Sequence, residues 1–179
     1  MPETGFLNPE RVISYLDVPR GSVAADFGAG TGFYTMALAR RVGPEGKVYA
    51  YDVLKHAVDR IRSEAQMLHL LQVEAVVADL ERPRGSRLKD AVADFVLAAS
   101  IIHQAENKSA VLQEAHRILK PGRYLALVEW SDAPSRLGPP RDMRISKARA
   151  RELAESAGFM LDREFEAGSF HYGLLFKKR

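Results

Sequence analysis

The stretch Val23-Ala24-Ala25-Asp26-Phe27-Gly28-Ala29-Gly30-Thr31-Gly32 constrains the fold of this chain more than any other. A short apolar run ends in an acid, three glycines alternate with small residues, and an aliphatic segment follows. That is the pattern of a strand, a tight turn and a helix start. Glycine accepts positive φ and carries no Cβ, so a ligand can lie directly against the backbone there. A dinucleotide-binding turn reads G-x-G-x-x-G and would need its third glycine at position 33, where Phe33 stands. Here the spacing is G-x-G-x-G. A second acid, Asp52, ends the next strand-like run about 20 residues on, where such folds hold a ribose.

Strands and helices alternate along the rest of the chain. Asn8-Pro9-Glu10 is a helix start, with Asn8 as cap and Pro9 in the first helical position. Strands are predicted over 22–27, 47–52 and 73–78, with a helix over about 32–42 between the first two. Val58, Ile61, Ala65 and Leu68 recur on one helical face. The Arg-rich stretch 81–90 reads as a surface loop and 91–99 as a buried strand. Asn107 caps a helix stopped by Lys120-Pro121-Gly122, and a fifth strand runs over 123–130. Segment 131–145 holds Pro134, Pro139 and Pro140 and reads as a loop or short lid. A last helix carries Ala150, Leu153, Ala154 and Ala157 and ends at Gly158. Strands over 160–166 and 169–177 are joined so closely that they must form an antiparallel hairpin.

This alternation implies a parallel sheet covered by helices on both faces. Ligands bind such sheets at the carboxyl ends of the strands, where the strand order reverses. Asp26, Asp52 and Asp79 all fall on that edge, which supports one nucleoside site there.

The chain of 179 residues fits a single domain over 1–179 with a substantial core. Its longest apolar runs fall short of the about 20 residues that a membrane span needs, and 1–6 does not read as a signal peptide, so no membrane partner and a cytoplasmic location are expected. The net charge of +3 comes from scattered residues, with no stripe of interleaved basic and aromatic side chains, so nucleic acid is not indicated. The chain has no cysteine, which excludes disulfides, thiolate metal sites and a thiolate nucleophile.

Taken in order, these motifs resemble the class I S-adenosylmethionine-dependent methyltransferases, over nearly the whole chain. The carriers are 26–32, 48–53 with Asp52, Asp79-Leu80, Asp94 to His103, Leu119-Lys120-Pro121-Gly122-Arg123 and the terminal hairpin. The nearest branch is the one that includes quinone-biosynthesis enzymes. The resemblance implies a seven-stranded, doubly wound, mostly parallel sheet in three α/β/α layers, Rossmann-like, with an antiparallel C-terminal hairpin. It implies S-adenosylmethionine as cofactor and S-adenosylhomocysteine as product. Gly28, Gly30 and Gly32, with Ala29 and Thr31 between them, would let the backbone approach the amino-acid part and ribose. Asp52 would accept from the ribose hydroxyls. Asp79 would accept from the adenine amino group, and Val53 and Leu80 would sandwich the ring. Ala99 and Ser100 would border the site at the end of the fourth strand. Asp26 would either belong to the site or only order the loop, and Tyr34 would either reach the methionine carboxylate or pack. The N-terminal helix within 1–20 would cover the cofactor.

Methyl transfer from a sulfonium needs mainly proximity, alignment and exclusion of water. His103, just past the fourth strand, is the candidate general base, against the reading of a pocket-wall histidine that bonds locally. Glu129 and Trp130 end the fifth strand on the acceptor side, and His171 and Tyr172 read as structural or surface groups. Ser131-Asp132-Ala133 offers one carboxylate where a metal-dependent enzyme would need several, so no metal is expected. No Asn-Pro-Pro-Tyr or Asp-Pro-Pro-Tyr run follows the fourth strand, which argues against DNA amino methylation. A small-molecule acceptor is the first expectation and a protein side chain such as lysine the second. A non-catalytic cofactor-binding module and, on fold alone, a nicotinamide-dependent oxidoreductase are rivals. Oligomeric state is not legible.

Overall fold

A computed structural model describes residues 8–179 of the chain. The elements are α1 (Pro9–Tyr15), β1 (Val23–Phe27), α2 (Phe33–Val42), β2 (Lys47–Asp52), α3 (Lys55–Met67), β3 (Val73–Val77), β4 (Ala93–Ala99), α4 (Lys108–Ile118), β5 (Leu119–Trp130), α5 (Lys147–Ser156), β6 (Phe159–Glu166) and β7 (His171–Lys178). A single sheet of seven strands has the order β3-β2-β1-β4-β5-β7-β6. The first five strands pair in parallel, and β7 inserts antiparallel between β5 and β6. From β1 the chain winds outward to β3, then returns to lay β4 on the other side of β1. The strand order therefore reverses between β1 and β4, which opens a crevice at their carboxyl ends.

Successive strand residues point to opposite faces, and both faces are dry here. Ala24, Phe95, Leu97, Ala126 and Leu175 pack with α1 and α2, while Ala25, Val96, Ala98, Leu125 and Leu127 pack with α4 and α5. Helix α3 covers Ala50 and Ala75 through Val58, Ile61 and Ala65. The strands at the centre consequently read as unbroken apolar runs. Each Leu or Ile buried there contributes roughly 1.5–3 kcal/mol, so the strands that carry the crevice belong to the most stable part of the molecule.

Several boundaries differ from the sequence expectation. Strand β5 starts at Leu119, ahead of Pro121 and Gly122, because Ala93 pairs with Leu119 and the register then shifts before Phe95 meets Tyr124. The irregularity absorbs the missing proline N–H. Leu68 is not on the buried face of α3 but caps its C-terminus, 44% exposed. The helix expected within 1–20 packs through Val12 and Ile13 beside Leu38 of α2, and residues 1–7 of that segment lie outside the described residues. A short 3-10 turn, Arg141–Met143, interrupts the 131–145 segment.

Candidate functional site: two cavities on one edge of the sheet

The first cavity, of about 360 Å³, lies at the carboxyl ends of β1, β2 and β3 and is walled by the turn after β4. Its rim is built largely from backbone. The N–H groups of Gly28 and Ala29 both donate to Tyr51 O, at 2.9 and 2.8 Å, which ties the glycine turn to β2. Asp52 completes the tie: its Oδ2 accepts from Gly30 N–H and its Oδ1 from Leu54 N–H, each at 2.9 Å. A carboxylate offers about four acceptor positions, so capacity for two further donors remains. Asp79 is held similarly, with Oδ1 accepting from Glu81 N–H at 3.0 Å and Oδ2 from Arg82 Nε at 3.1 Å.

The three glycines do different jobs. A Cβ on Gly28 would come within 2.9 Å of Ile101 Cβ, so its bareness lets the turn after β4 close over the loop. A Cβ on Gly32 would meet Ile61 at 2.9 Å, and its φ of +85° makes it the left-handed N-cap of α2. Gly30 alone faces open space, its nearest neighbour being Gly28 O at 3.9 Å. It is the glycine that leaves room for a ligand.

Of the residues expected from the sequence, Gly28, Gly30, Asp52, Val53, Asp79, Leu80 and Ser100 line this cavity. Ala29, Thr31, Gly32 and Ala99 belong to the same turns but do not line it. Asp26 is buried beneath the glycine loop, where Thr35 Oγ1 donates to its Oδ2 at 2.6 Å. Burial pushes its carboxyl up to about 7; the Thr35 bond pulls the other way and the charge of Asp52 adds to the rise. Tyr34 is buried in the α1–α2 core, its hydroxyl lacking a partner among the described residues. Burial, then the charge of Asp26, push that phenol well up, which keeps it a donor. Leu54, Ile101, Gln104 and Ala105 are among the further lining residues, which the sequence did not single out as site residues. The apolar pair Ile101-Ile102 within an otherwise polar loop was the available signal for Ile101.

Ser100 turns the chain with a φ of +55°, a conformation that costs a non-glycine residue roughly 1 kcal/mol. The turn is braced by Ser100 N–H donating to Val128 O at 2.8 Å. Beyond it, Glu129 of β5 is fully buried and holds the next residues: Oε1 accepts from Ile102 N–H at 2.7 Å, and Oε2 lies 2.7 Å from His103 Nδ1. An ionised Glu129 keeps the proton on Nδ1 and leaves the Nε2 lone pair available. The sequence singled out both residues, Glu129 on the acceptor side and His103 just past the fourth strand, but their pairing was invisible there.

His103 opens on a second cavity, of about 550 Å³, also lined by Lys108, Asp142, Arg144, Ser146 and Arg149. Its outer wall is the end of the proline-rich segment. Arg144 fastens that segment by donating to Ser131 O, Ala133 O, Leu137 O and Pro139 O at 2.8–3.3 Å. Its guanidinium lies 5.6 Å from the Trp130 ring, which in turn contacts the His171 ring with centroids 4.1 Å apart. Burial, with Arg144 and His103 adding to it, pushes the His171 imidazole down to about 4. Tyr172 Oη donates to Ile145 O at 2.9 Å. His171 and Tyr172 are therefore buttresses of this segment.

The first cavity suits an adenosine-bearing ligand. A carboxylate with spare acceptor capacity, apolar side chains at Val53, Leu80 and Ile101 and an open approach over Gly30 meet its distinct parts. Known proteins agree. The sequence profile described as a methyltransferase domain matches residues 20–158. A crystal structure of an S-adenosylmethionine-dependent methyltransferase from Aquifex aeolicus superposes with a TM-score of 0.88 at 30% identity, covering 96% of this chain and 90% of that one. Demethylmenaquinone methyltransferases from Bacillus mycoides (strain KBAB4) and Geobacillus stearothermophilus are each 32% identical, over 124 and 123 residues. Those alignments take in 69% and 67% of this chain and 50% of each relative, so the chain spans about half the length of these curated relatives. The chain belongs to the S-adenosylmethionine-dependent methyltransferase family.

Proposed function

We propose that the chain transfers a methyl group from S-adenosylmethionine to a small-molecule acceptor held in the cavity beside His103. The observation that carries this reading is the pair of cavities on opposite sides of one short turn. Ile101, Gln104 and Ala105 face the first cavity, while His103 and Lys108 face the second. A cavity of about 550 Å³ falls within the size range of small-molecule sites, and it opens widely to the surface. The methyltransferases named above that act on demethylmenaquinone support a small acceptor as a class; their own acceptor is not carried over.

In this reading Gly28, Gly30, Asp52, Val53, Asp79, Leu80 and Ser100 hold the cofactor, and Tyr34 packs in the core behind them. Bound there, S-adenosylmethionine supplies a methyl on a sulfonium, which leaves as a neutral thioether with the S–CH₃ bonding pair. The chain's own contribution is to align the acceptor, exclude water and take one proton. His103 Nε2 takes that proton from the acceptor, and Glu129 holds the ring in the tautomer that can do so. Segment 131–145 serves as the lid, with Arg144 as its fastening.

Two measurements test this together. Calorimetric titration should show binding of S-adenosylhomocysteine and none of NAD. Tritiated-methyl transfer with cell lysate as acceptor source should place label in the small-molecule fraction. Label confined to protein would favour a protein acceptor, and label in neither fraction would leave a binding module.

A further inference from the structure

We propose that Glu81 is a positioning residue: its carboxylate clasps one wall of the cofactor cavity to the turn that carries His103, so that filling the first cavity firms a wall of the second. This rests on the cofactor reading above and adds to it how the two cavities communicate. The turn over 100–107 owes much of its shape to charged side chains from outside it. Glu129 Oε1 accepts from Ile102 N–H at 2.7 Å and from His103 N–H at 3.4 Å. Lys108 Nζ donates to His103 O at 3.3 Å and to Ala105 O at 2.6 Å. Glu81 accepts from Glu106 N–H at Oε1, 3.2 Å away, and from Asn107 N–H at Oε2, 2.5 Å away. Of these three, Glu81 alone lines the first cavity.

A helix cap does not account for this contact. Helix α4 begins at Lys108 and has its own cap, since Asn107 Oδ1 accepts from Ala110 N–H at 3.1 Å. The N–H groups of Glu106 and Asn107 precede the helix, so Glu81 secures the chain that leads into it. Both bonds go to a carboxylate, the stronger kind of acceptor.

The other end of the clasp is fixed by Asp79, whose Oδ1 accepts from Glu81 N–H at 3.0 Å in a local side-chain turn. In the cofactor reading this same carboxylate receives the adenine amino group. Asp79 thus orients Glu81, and Glu81 holds the turn from which Ile101 and Ala105 face the first cavity and His103 the second. A ligand lying between Asp79 and Ile101 orders both walls, and the clasp carries that order along the turn. What is already ordered costs less to hold when the acceptor arrives. The coupling runs through the backbone of the turn and not through the tautomer of His103, and it is reciprocal.

The test is amide hydrogen exchange, read by NMR on the full chain with and without saturating S-adenosylhomocysteine, together with the rate at which that ligand leaves. The reporter is the amide of Ile102, a buried residue whose own acceptor, Glu129, is intact in every variant. In the parent protein the ligand should slow exchange there by about tenfold. In Glu81→Ala the slowing should fall to about twofold and the ligand should leave about tenfold faster, the scale of a lost charge-assisted hydrogen bond. Glu81→Gln keeps one acceptor oxygen and should fall between the two, and it carries the test if the alanine variant does not fold. A purely structural Glu81 would instead speed exchange at Ile102 equally with and without ligand. That uniform change, an undiminished ligand effect at Ile102, or an unchanged release rate would overturn the proposal. A parent protein that binds no S-adenosylhomocysteine sinks the reading beneath it, whereas a parent that binds and variants that match it sink only this inference.

Discussion

The two halves of the carboxyl edge are built by different means. Over β1–β3 the cavity is shaped by backbone groups, with Gly28, Ala29 and Gly30 tied to Tyr51 and Asp52. Over β4 and β5 the cavity is shaped by side chains and a fastened loop: Glu129 on His103, Arg144 on four carbonyls, and Tyr172 on Ile145. Backbone geometry changes little under substitution, whereas a loop held by a few side chains can be re-shaped by a few replacements. The first half is suited to one invariant ligand, and the second to an acceptor that differs between members of a family on a shared fold.

The comparison breaks most visibly at Glu129→Gln. The amide oxygen can keep accepting from Ile102 N–H while its NH₂ faces His103 Nδ1, which forces the ring proton to Nε2. The turnover rate should fall by about 10²–10⁴-fold. Affinity for S-adenosylhomocysteine should not change, because the first half is untouched. Equal losses in rate and in cofactor affinity would show that the halves are one unit.

Asp52→Ala probes the backbone-built half. It removes the ribose acceptor together with the ties to Gly30 and Leu54, and should weaken S-adenosylhomocysteine binding by ~1.5–3 kcal/mol in a calorimetric titration. Unchanged affinity would sink the ribose assignment. A milder effect is expected at Asp26, whose carboxyl is held at about 7 in the fold against an ordinary value of 3.8. A raised folded value means that the group's stabilising contribution is complete below pH 3.8 and lost as pH rises through about 7. Asp26→Asn should remove that loss and be more stable than the parent by about 1–2 kcal/mol above neutrality, with the gap closing in acid. A gap in thermal stability that does not vary with pH would show that Asp26 stays ionised.

Much of the fold was legible because it rests on local rules. The G-x-G-x-G turn, the apolar runs and the terminal hairpin follow from period, turn chemistry and link length. Glu129 shows where such reading stops. As an acid at the end of an apolar run it announced a special role, but its partner lies 26 residues away, brought beside it only when β4 and β5 pair. Lys108 and Arg149 were similarly plain as residues, yet nothing in the linear order shows that they line one cavity.

The opening glycines mark the same boundary. By itself the amino-acid sequence determined that a strand, a sharp turn and a helix stand at 23–42, since glycine takes positive φ at the least steric cost. The tertiary structure alone decided which glycine serves which purpose. Gly28 admits Ile101, Gly32 admits Ile61, and Gly30 is left open, because the neighbours that fill or spare each position come from elements far along the chain.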